Sequence, residues 1–371
     1  MARVRHVLGC VAGPSLDGVD LALIAVTGSG SAVSCELLGG LVSPLDRLRA
    51  DLNRHLRGLP SVPGVTLRAA RALGERCAEA AGELLAAHPG VSLDMIAAQG
   101  LSAWHDATER LIWELFDPWP LAQRFRVPVV HDLAQADLMA GGHGRPIFPV
   151  ADRLLFPRDG RARLIVHLHA LCSVSFLPSD GRRVAEGFDL GPAMLLLDAA
   201  VRELYPDRVM DKDGRLALRG SPSEALFPLL MAHPFFKDCP NRALGRGEFD
   251  DAWIAQFIEE SRRWVRGDDL LASVVEALAM MIRPLAQRLH HPQVVLTGGG
   301  ARHAMLVDRV RARCAPSSVL TASELGVPEA LHQAMAVATL GALAHDGVPL
   351  SPHEAGLKHR PVVAGLWTGR V

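Results

Sequence analysis

Little in this sequence favours one sign of charge: 39 basic residues stand against 40 acidic ones, a formal net charge of −1. Such a balance supplies no field to draw nucleic acid or an anionic membrane, so neither is expected as a partner. Arg and Lys are spread along the chain without a basic block. No C-x-x-C pair occurs among the six cysteines, at 10, 35, 77, 172, 239 and 314. Their scatter excludes a zinc ribbon and a disulfide framework and fits reduced thiols. No apolar run reaches the roughly 18–20 residues of a membrane span. The opening Met1-Ala-Arg-Val-Arg-His leads into a strand-like segment without the apolar core of a signal peptide. A cytoplasmic protein is expected. Internal repeats, low-complexity tracts and long linkers are also missing.

What is present reads as a two-part α/β chain. At 371 residues it exceeds what one hydrophobic core usually supports. Val4–Val11 and Val19–Val26, apolar β-formers around a Gly/Pro/Asp turn, predict a hairpin. Apolar residues at helical spacing predict a helix over Leu67–Ala87, and Asp94–Ala98 and Val127–His131 read as short buried strands. Leu164–Leu168 and Ser173–Leu177 predict a second hairpin. Helices are expected over Gly191–Leu204 (with Pro192 in the first turn), Trp253–Trp264, Leu270–His290, Met305–Cys314 and Ala330–His345, with a strand at Val294–Leu296. Two hairpin openings, each leading into helices and further strands, suggest duplicated lobes closing over a cleft. The expected division is residues 1–150 with about 346–371 in one lobe and 151–345 in the other.

Four glycine-rich or acidic turns follow strands: Gly13–Gly18, Gly141–Pro146, Gly187–Pro192 and Thr297–Ala301. Turns of this kind let backbone amides and carboxylates meet phosphate and metal. Any one of them alone is equally at home as a tight turn that touches no ligand.

Their order and spacing carry a resemblance. Pro14-Ser-Leu-Asp-Gly-Val-Asp20 resembles the M-S-G-T-S-L-D-G-V-D phosphate loop of the anhydro-N-acetylmuramic acid kinases. Asp137-Leu-Met-Ala-Gly-Gly-His-Gly-Arg-Pro146 is similar to their D-x-A-x-G-G-Q-G-A-P segment. Gly187-Phe-Asp-Leu-Gly-Pro192, Asp198 and Asp211-Lys-Asp-Gly214 resemble G-F-D-T-G-P, an aspartate and D-x-D-G. His233-Pro-Phe-Phe236, Gly245-Arg246, Phe249, Gly298-Gly-Gly-Ala301 and Ala334-Met-Ala336 complete the set. The resemblance implies the two-lobed actin/hexokinase-like (ribonuclease H-like) α/β fold with a central inter-lobe cleft, and a homodimer. It also implies Mg-ATP and a small-molecule ligand of the amino-sugar kind. Such kinases open the ring of 1,6-anhydro-N-acetylmuramic acid and phosphorylate O6. Carried over residue by residue, the base that activates water is Asp189. The nucleotide side is Gly13, Ser15, Asp17, Gly191, Gly298, Gly299 and Gly300. Gln99, Trp104, His105, Asp137, His143, Arg145 and Gln333 fall on the substrate side.

Departures from the family pattern gather on polar ligand contacts. Pro14 stands for a threonine, removing a hydroxyl and an N–H. In the S-H-G-Q-T-x-W-H segment the histidine is Gln99 and the glutamine Leu101. The arginine of D-F-R is Ala134, which loses a fork suited to a carboxylate, and Gln-Gly-Ala is His143-Gly-Arg145. The N-x-G-G-x-A-N turn reads His167–Ser173, with His169 and Ala170 in place of glycines. Leu190 and Met194 replace a threonine and an asparagine, Ala243-Leu244 a Ser-Thr pair, and Gln333 a glutamate. Losing one oriented donor typically costs roughly 10²–10³ in rate. The expectation is therefore a kinase-deficient or repurposed member, against an active ATP-dependent sugar kinase of cell-wall recycling. A third reading takes His167 and His169, two apart on a predicted strand and so on one face, as ligands with a carboxylate for Zn²⁺ or Fe²⁺. The alternative for those imidazoles is to fill space vacated by nucleotide.

Overall fold

The computed structural model describes residues 3–13, 15–156, 160–179, 186–237, 243–244, 248–349 and 362–369. Pro14, Cys239, Asn241-Arg242, Gly245-Arg246 and 350–361 of the C-terminal stretch lie outside the described residues. The chain divides into two compact units. The first is Met1–Pro157, Val184–Glu186 and Ala330–Val371; the second is Arg158–Arg183 and Gly187–Glu329.

The first unit opens with strands Arg5–Ala12 (β1), Gly18–Thr27 (β2) and Ser34–Pro44 (β3), then helices Leu48–Leu56 (α1) and Pro63–Ala86 (α2). Met95–Gln99 (β4), Leu101–Asp106 (β5), Leu111–Leu115 (β6), Trp119–Phe125 (α3), Val129–His131 (β7), Gln135–Met139 (α4) and Pro149–Leu155 (α5) follow. The second unit holds Arg163–Leu168 (β8), Leu171–Leu177 (β9) and Glu186–Pro192 (β10), then Met194–Leu204 (α6), Leu226–Met231 (α7), Asp251–Ser261 (α8) and Asp268–Arg288 (α9). It ends with Gln293–Thr297 (β11), Ala304–Cys314 (α10) and Val319–Thr321 (β12). The chain then returns to the first unit with His332–His345 (α11) and Leu366–Thr368 (β13).

Both sheets share one plan. The first runs β13-β7-β4-β1-β2-β3 and the second β10-β9-β8-β11-β12. In each, a hairpin (β1–β2, β8–β9) opens the unit and the first strand pairs in parallel with a later one (β4, β11). A fifth strand extends the parallel run, β7 beside β4 and β12 beside β11. This is the ribonuclease H-like order, present twice, as the paired hairpins in the sequence imply. Strands such as β8, buried at every position, match a sheet covered on both faces.

Helix α11 packs on β1, β2 and β4. It thus belongs with the first unit, whereas the expected division puts 330–345 in the second lobe. Nearly every residue of α11 is buried, and an all-apolar helix carries no local signal of which sheet it covers. The seating is flush: a Cβ on Gly9 of β1 would collide with the Ala334 carbonyl oxygen, and one on Gly341 would lie 2.5 Å from the Ala97 Cβ. Buried His332 bonds Asp152 of α5 at 2.6 Å and stacks on Phe156.

The helix expected over Gly191–Leu204 starts later, at Met194, because Gly191 and Pro192 finish β10. Gly191 has φ +147°, and a Cβ there would press on Met281 and Phe236. Among the described residues, no helix is long and apolar enough to cross a membrane.

Candidate functional site

In the first unit the parallel strands β1, β4 and β7 end together, at Ala12-Gly13, Gln99-Gly100 and His131-Asp132. The carboxyl edge of parallel strands is where open α/β sheets bind ligands. Gly100 turns β4 directly into β5, and β5 pairs with β6 so that Ser102 lies opposite Glu114. The Gly100 N–H donates to Glu114 Oε2 at 3.2 Å, and the Asp132 N–H also donates to this carboxylate. Burial pushes Glu114 up to about 7; Arg145 and the two N–H donors oppose the rise, and the Asp132 charge adds to it. Burial likewise raises Asp132 and lowers His131.

Asp132 takes a left-handed φ of +51° and accepts a backbone hydrogen bond from Gln135 at the start of α4. Such backbone in a non-glycine residue persists only where its surroundings fix it. Gln99 Oε1, Ser102 Oγ and Asp132 Oδ1 are inaccessible to solvent and have no hydrogen-bond partner among the described residues.

Asp137 and the Gly141–Pro146 turn form a second feature of this edge. Asp137 Oδ2 accepts the Gly144 N–H at 2.8 Å, and its carbonyl accepts the Gly142 N–H at 2.8 Å. A Cβ on Gly142 would collide with that carboxylate, so Asp137 shapes the turn. His105, on β5, donates Nε2–H to the His143 carbonyl at 2.8 Å, tying the hairpin to the same turn. Trp104 is exposed. Ala134, at the position of the family's arginine, is a buried methyl group. In the loop between β1 and β2, Ser15 and Asp17 are exposed and buried Leu16 takes φ +55°. A Cβ on Gly13 would lie 3.9 Å from Gln333 Oε1 of α11.

The second unit holds Asp189, buried on β10, with Oδ2 accepting the Leu244 N–H at 2.7 Å. Cys172 is raised far above the ordinary thiol range by burial, with the Asp189 charge adding to it. His167 is fully buried on β8, aligned with Thr297 of β11, and bonds Ser175 Oγ at 3.2 Å. His169 lies beyond the end of β8, in the turn to β9. The shared strand face expected for His167 and His169 is therefore not formed.

Instead, His169 packs on the Thr297–Ala301 turn. Gly298 has φ +85°, and a Cβ there would meet the Leu168 carbonyl oxygen at 2.7 Å and the His169 ring at 2.9 Å. A Cβ on Gly300 would meet Leu168 and Met194, at 2.7 and 2.8 Å. Gly299 is exposed, with nothing within 4 Å. The N–H groups of Ala193, Met194 and Leu195 donate to the carbonyls of Ala170, His169 and Ala170. The amides at the start of α6, ordinarily an anion site, are thus consumed by the hairpin turn.

Asp211, opening the D-x-D-G segment, is a buried structural hub. It accepts from Leu216 at 2.8 Å, from Ala217 at 2.9 Å and from Nε2–H of His303 at 3.2 Å. Burial works to raise this carboxyl, but the His303 and backbone donors prevail and hold it below its ordinary value.

Glu114, Ser102 and Asp132 were not singled out from the sequence. The sequence carries no periodic signal for them: Leu111-Ile-Trp-Glu-Leu115 sets one carboxyl in an apolar run, and Ser102 and Asp132 lie in other segments.

The matching family model and two curated relatives share one description. The family model described as Anhydro-N-acetylmuramic acid kinase matches residues 5–368. A protein of that name from Rhodopseudomonas palustris (strain BisB18) is 32% identical over 376 residues, 98% of each chain. Another from Prochlorococcus marinus (strain MIT 9303) is 29% identical over 350 residues, 90% of this chain and 92% of the relative. Among solved structures, component A of (R)-2-hydroxyglutaryl-CoA dehydratase from Acidaminococcus fermentans aligns with TM-score 0.49 and 11% identity, over 92% of this chain and 99% of that one.

Proposed function

Because the chain belongs to the anhydro-N-acetylmuramic acid kinase family, we propose that it is a sugar-binding member whose Mg-ATP phosphotransfer has been lost or given over to another reaction. The observation that carries this is the His169 ring against Gly298, in the turn where a phosphate would approach the backbone. The engaged amides at the start of α6 support it, because those donors are already spent on His169 and Ala170. When bound, Mg-ATP supplies the transferable phosphoryl group and the metal that offsets its charge. In the second unit, Gly191 and Gly298–Gly300 are the residues that would hold its phosphates. They fit it only in part: Gly299 is open to an approaching phosphate, whereas Gly298 and Gly300 are covered by Leu168, His169 and Met194. The Leu244 N–H fixes Asp189 at 2.7 Å, which supports a role for this carboxylate in orienting a water or hydroxyl.

A second reading, an active sugar kinase of cell-wall recycling, draws support from open Gly299 and from the persistence of Asp189. The two separate on incubation of the purified protein with Mg-ATP and 1,6-anhydro-N-acetylmuramic acid, followed by mass spectrometry. Unchanged sugar with no ADP is expected. Stoichiometric sugar 6-phosphate would overturn the proposal in favour of the second reading.

A further inference from the structure

The carboxyl edge of the first unit's sheet differs from a site built for an acid. We infer that Gln99, Ser102, Glu114 and Asp132 form a hydrogen-bond-accepting subsite for the hydroxyl and amide groups of a sugar that lacks a carboxylate. This inference rests on the sugar-binding reading above and names the class of sugar.

Convergence is fixed by register rather than by flexible side chains. Ser102 and Glu114 are cross-strand partners on β5 and β6. Glu114 is tied to Gly100 and Asp132 by their N–H groups. Gln99 ends β4 and Asp132 directly follows β7, each two residues past the paired Ala97–Val130 position of these adjacent parallel strands. The four side chains therefore meet at one end of the sheet.

Their chemistry is that of acceptors. Gln99 Oε1 and Asp132 Oδ1 accept only, and the Ser102 hydroxyl does both. All three atoms are shielded from solvent with no partner among the described residues, and buried polar atoms of this kind are normally hydrogen-bonded. Glu114, poised near neutrality by its burial, can accept in one state and donate in the other. Sugar hydroxyls, which both donate and accept, match this set.

A carboxylate does not. Arg145 and Asp132 act on Glu114 with opposite sign, so one guanidinium stands here beside two carboxyls. The buried Ala134 offers no guanidinium fork. An acid entering here meets the carboxyls of Glu114 and Asp132 and no guanidinium fork at Ala134.

The experiment compares 1,6-anhydro-N-acetylglucosamine with 1,6-anhydro-N-acetylmuramic acid, which adds a lactyl carboxylate, by calorimetric titration of the full chain. The glucosamine derivative is expected to bind at least about tenfold more tightly, a difference of ~1.4 kcal/mol. Ser102→Ala and Glu114→Gln, checked for native circular dichroism, should each weaken it several-fold. Tighter binding of the muramic acid derivative would overturn the inference and leave the sugar-binding reading standing. Binding of the glucosamine derivative unaffected by both substitutions would also overturn it. Failure of both sugars to bind folded protein would overturn the inference and the sugar-binding reading together.

Discussion

Replacing Glu114 with Gln tests whether a carboxyl is held out of water at the end of the first unit's sheet. The group's ordinary value is 4.5 and burial pushes it up to about 7. At about 1.4 kcal/mol per tenfold change in the proton equilibrium, the full rise corresponds to about 3 kcal/mol. Glu114 keeps some contact with solvent, so this is an upper bound. The sign follows from which state holds the proton. Between pH 4.5 and about 7 the native chain keeps Glu114 protonated while the unfolded chain ionises. Stability from this group is therefore lost as pH rises through that window, and the loss levels off above it. Neighbouring groups also titrate: lowered His131 acts with the opposite sign, and Asp132 and Arg145 face the same carboxyl. The His131 contribution cancels when wild type is compared with Glu114→Gln, an isostere that still accepts the Gly100 and Asp132 N–H groups, whereas the coupling of Asp132 and Arg145 to Glu114 is part of the difference measured. Urea unfolding at pH 5 and pH 8 is the assay. The stability difference should shift by roughly 1–3 kcal/mol in favour of the glutamine variant on going to pH 8. A difference that stays constant across the two pH values would refute the burial argument.

Other consequences are as direct. Gly9→Ala drives a Cβ into the Ala334 carbonyl, where neither β1 nor α11 can yield; a loss of roughly 3 kcal/mol in chemical denaturation is expected. Asp211→Ala strands two backbone N–H groups and His303 in the second unit, costing about 3 kcal/mol by the same assay. Because the native Asp211 carboxyl lies below its ordinary value, its contribution is present above that value and is lost as pH falls through the native one. Substituting both His169→Gly and Ala170→Gly removes the ring from Gly298, and Mg-ATP affinity measured by calorimetry should rise by about tenfold or more.

The fold was legible because its strongest signals are local. Both hairpins, helix α2 and the strands β4, β7 and β11 show the expected periodicities, and the spacing of the turns pointed to the family. Allegiances and endings were not legible. Helix α11 is apolar all round, and only a flush contact such as Gly9 on Ala334 says which sheet it covers. Pro192 looks like a helix start, yet the left-handed Gly191 keeps it on β10. His169 reads as a strand residue, but β8 stops one position earlier and the ring turns onto Gly298. The subsite around Glu114 was hidden for a different reason: its members come from four segments joined only by register. Asp137, read as a ligand contact, is the residue that shapes its own turn.

Calorimetric titration of the folded wild-type chain with Mg-ATP tests the central claim, that the phosphate turn of the second unit is closed by His169. The account predicts a flat titration at millimolar nucleotide. Saturable binding of one Mg-ATP per chain would contradict it and would mean that Gly299 and its neighbours still cradle phosphate.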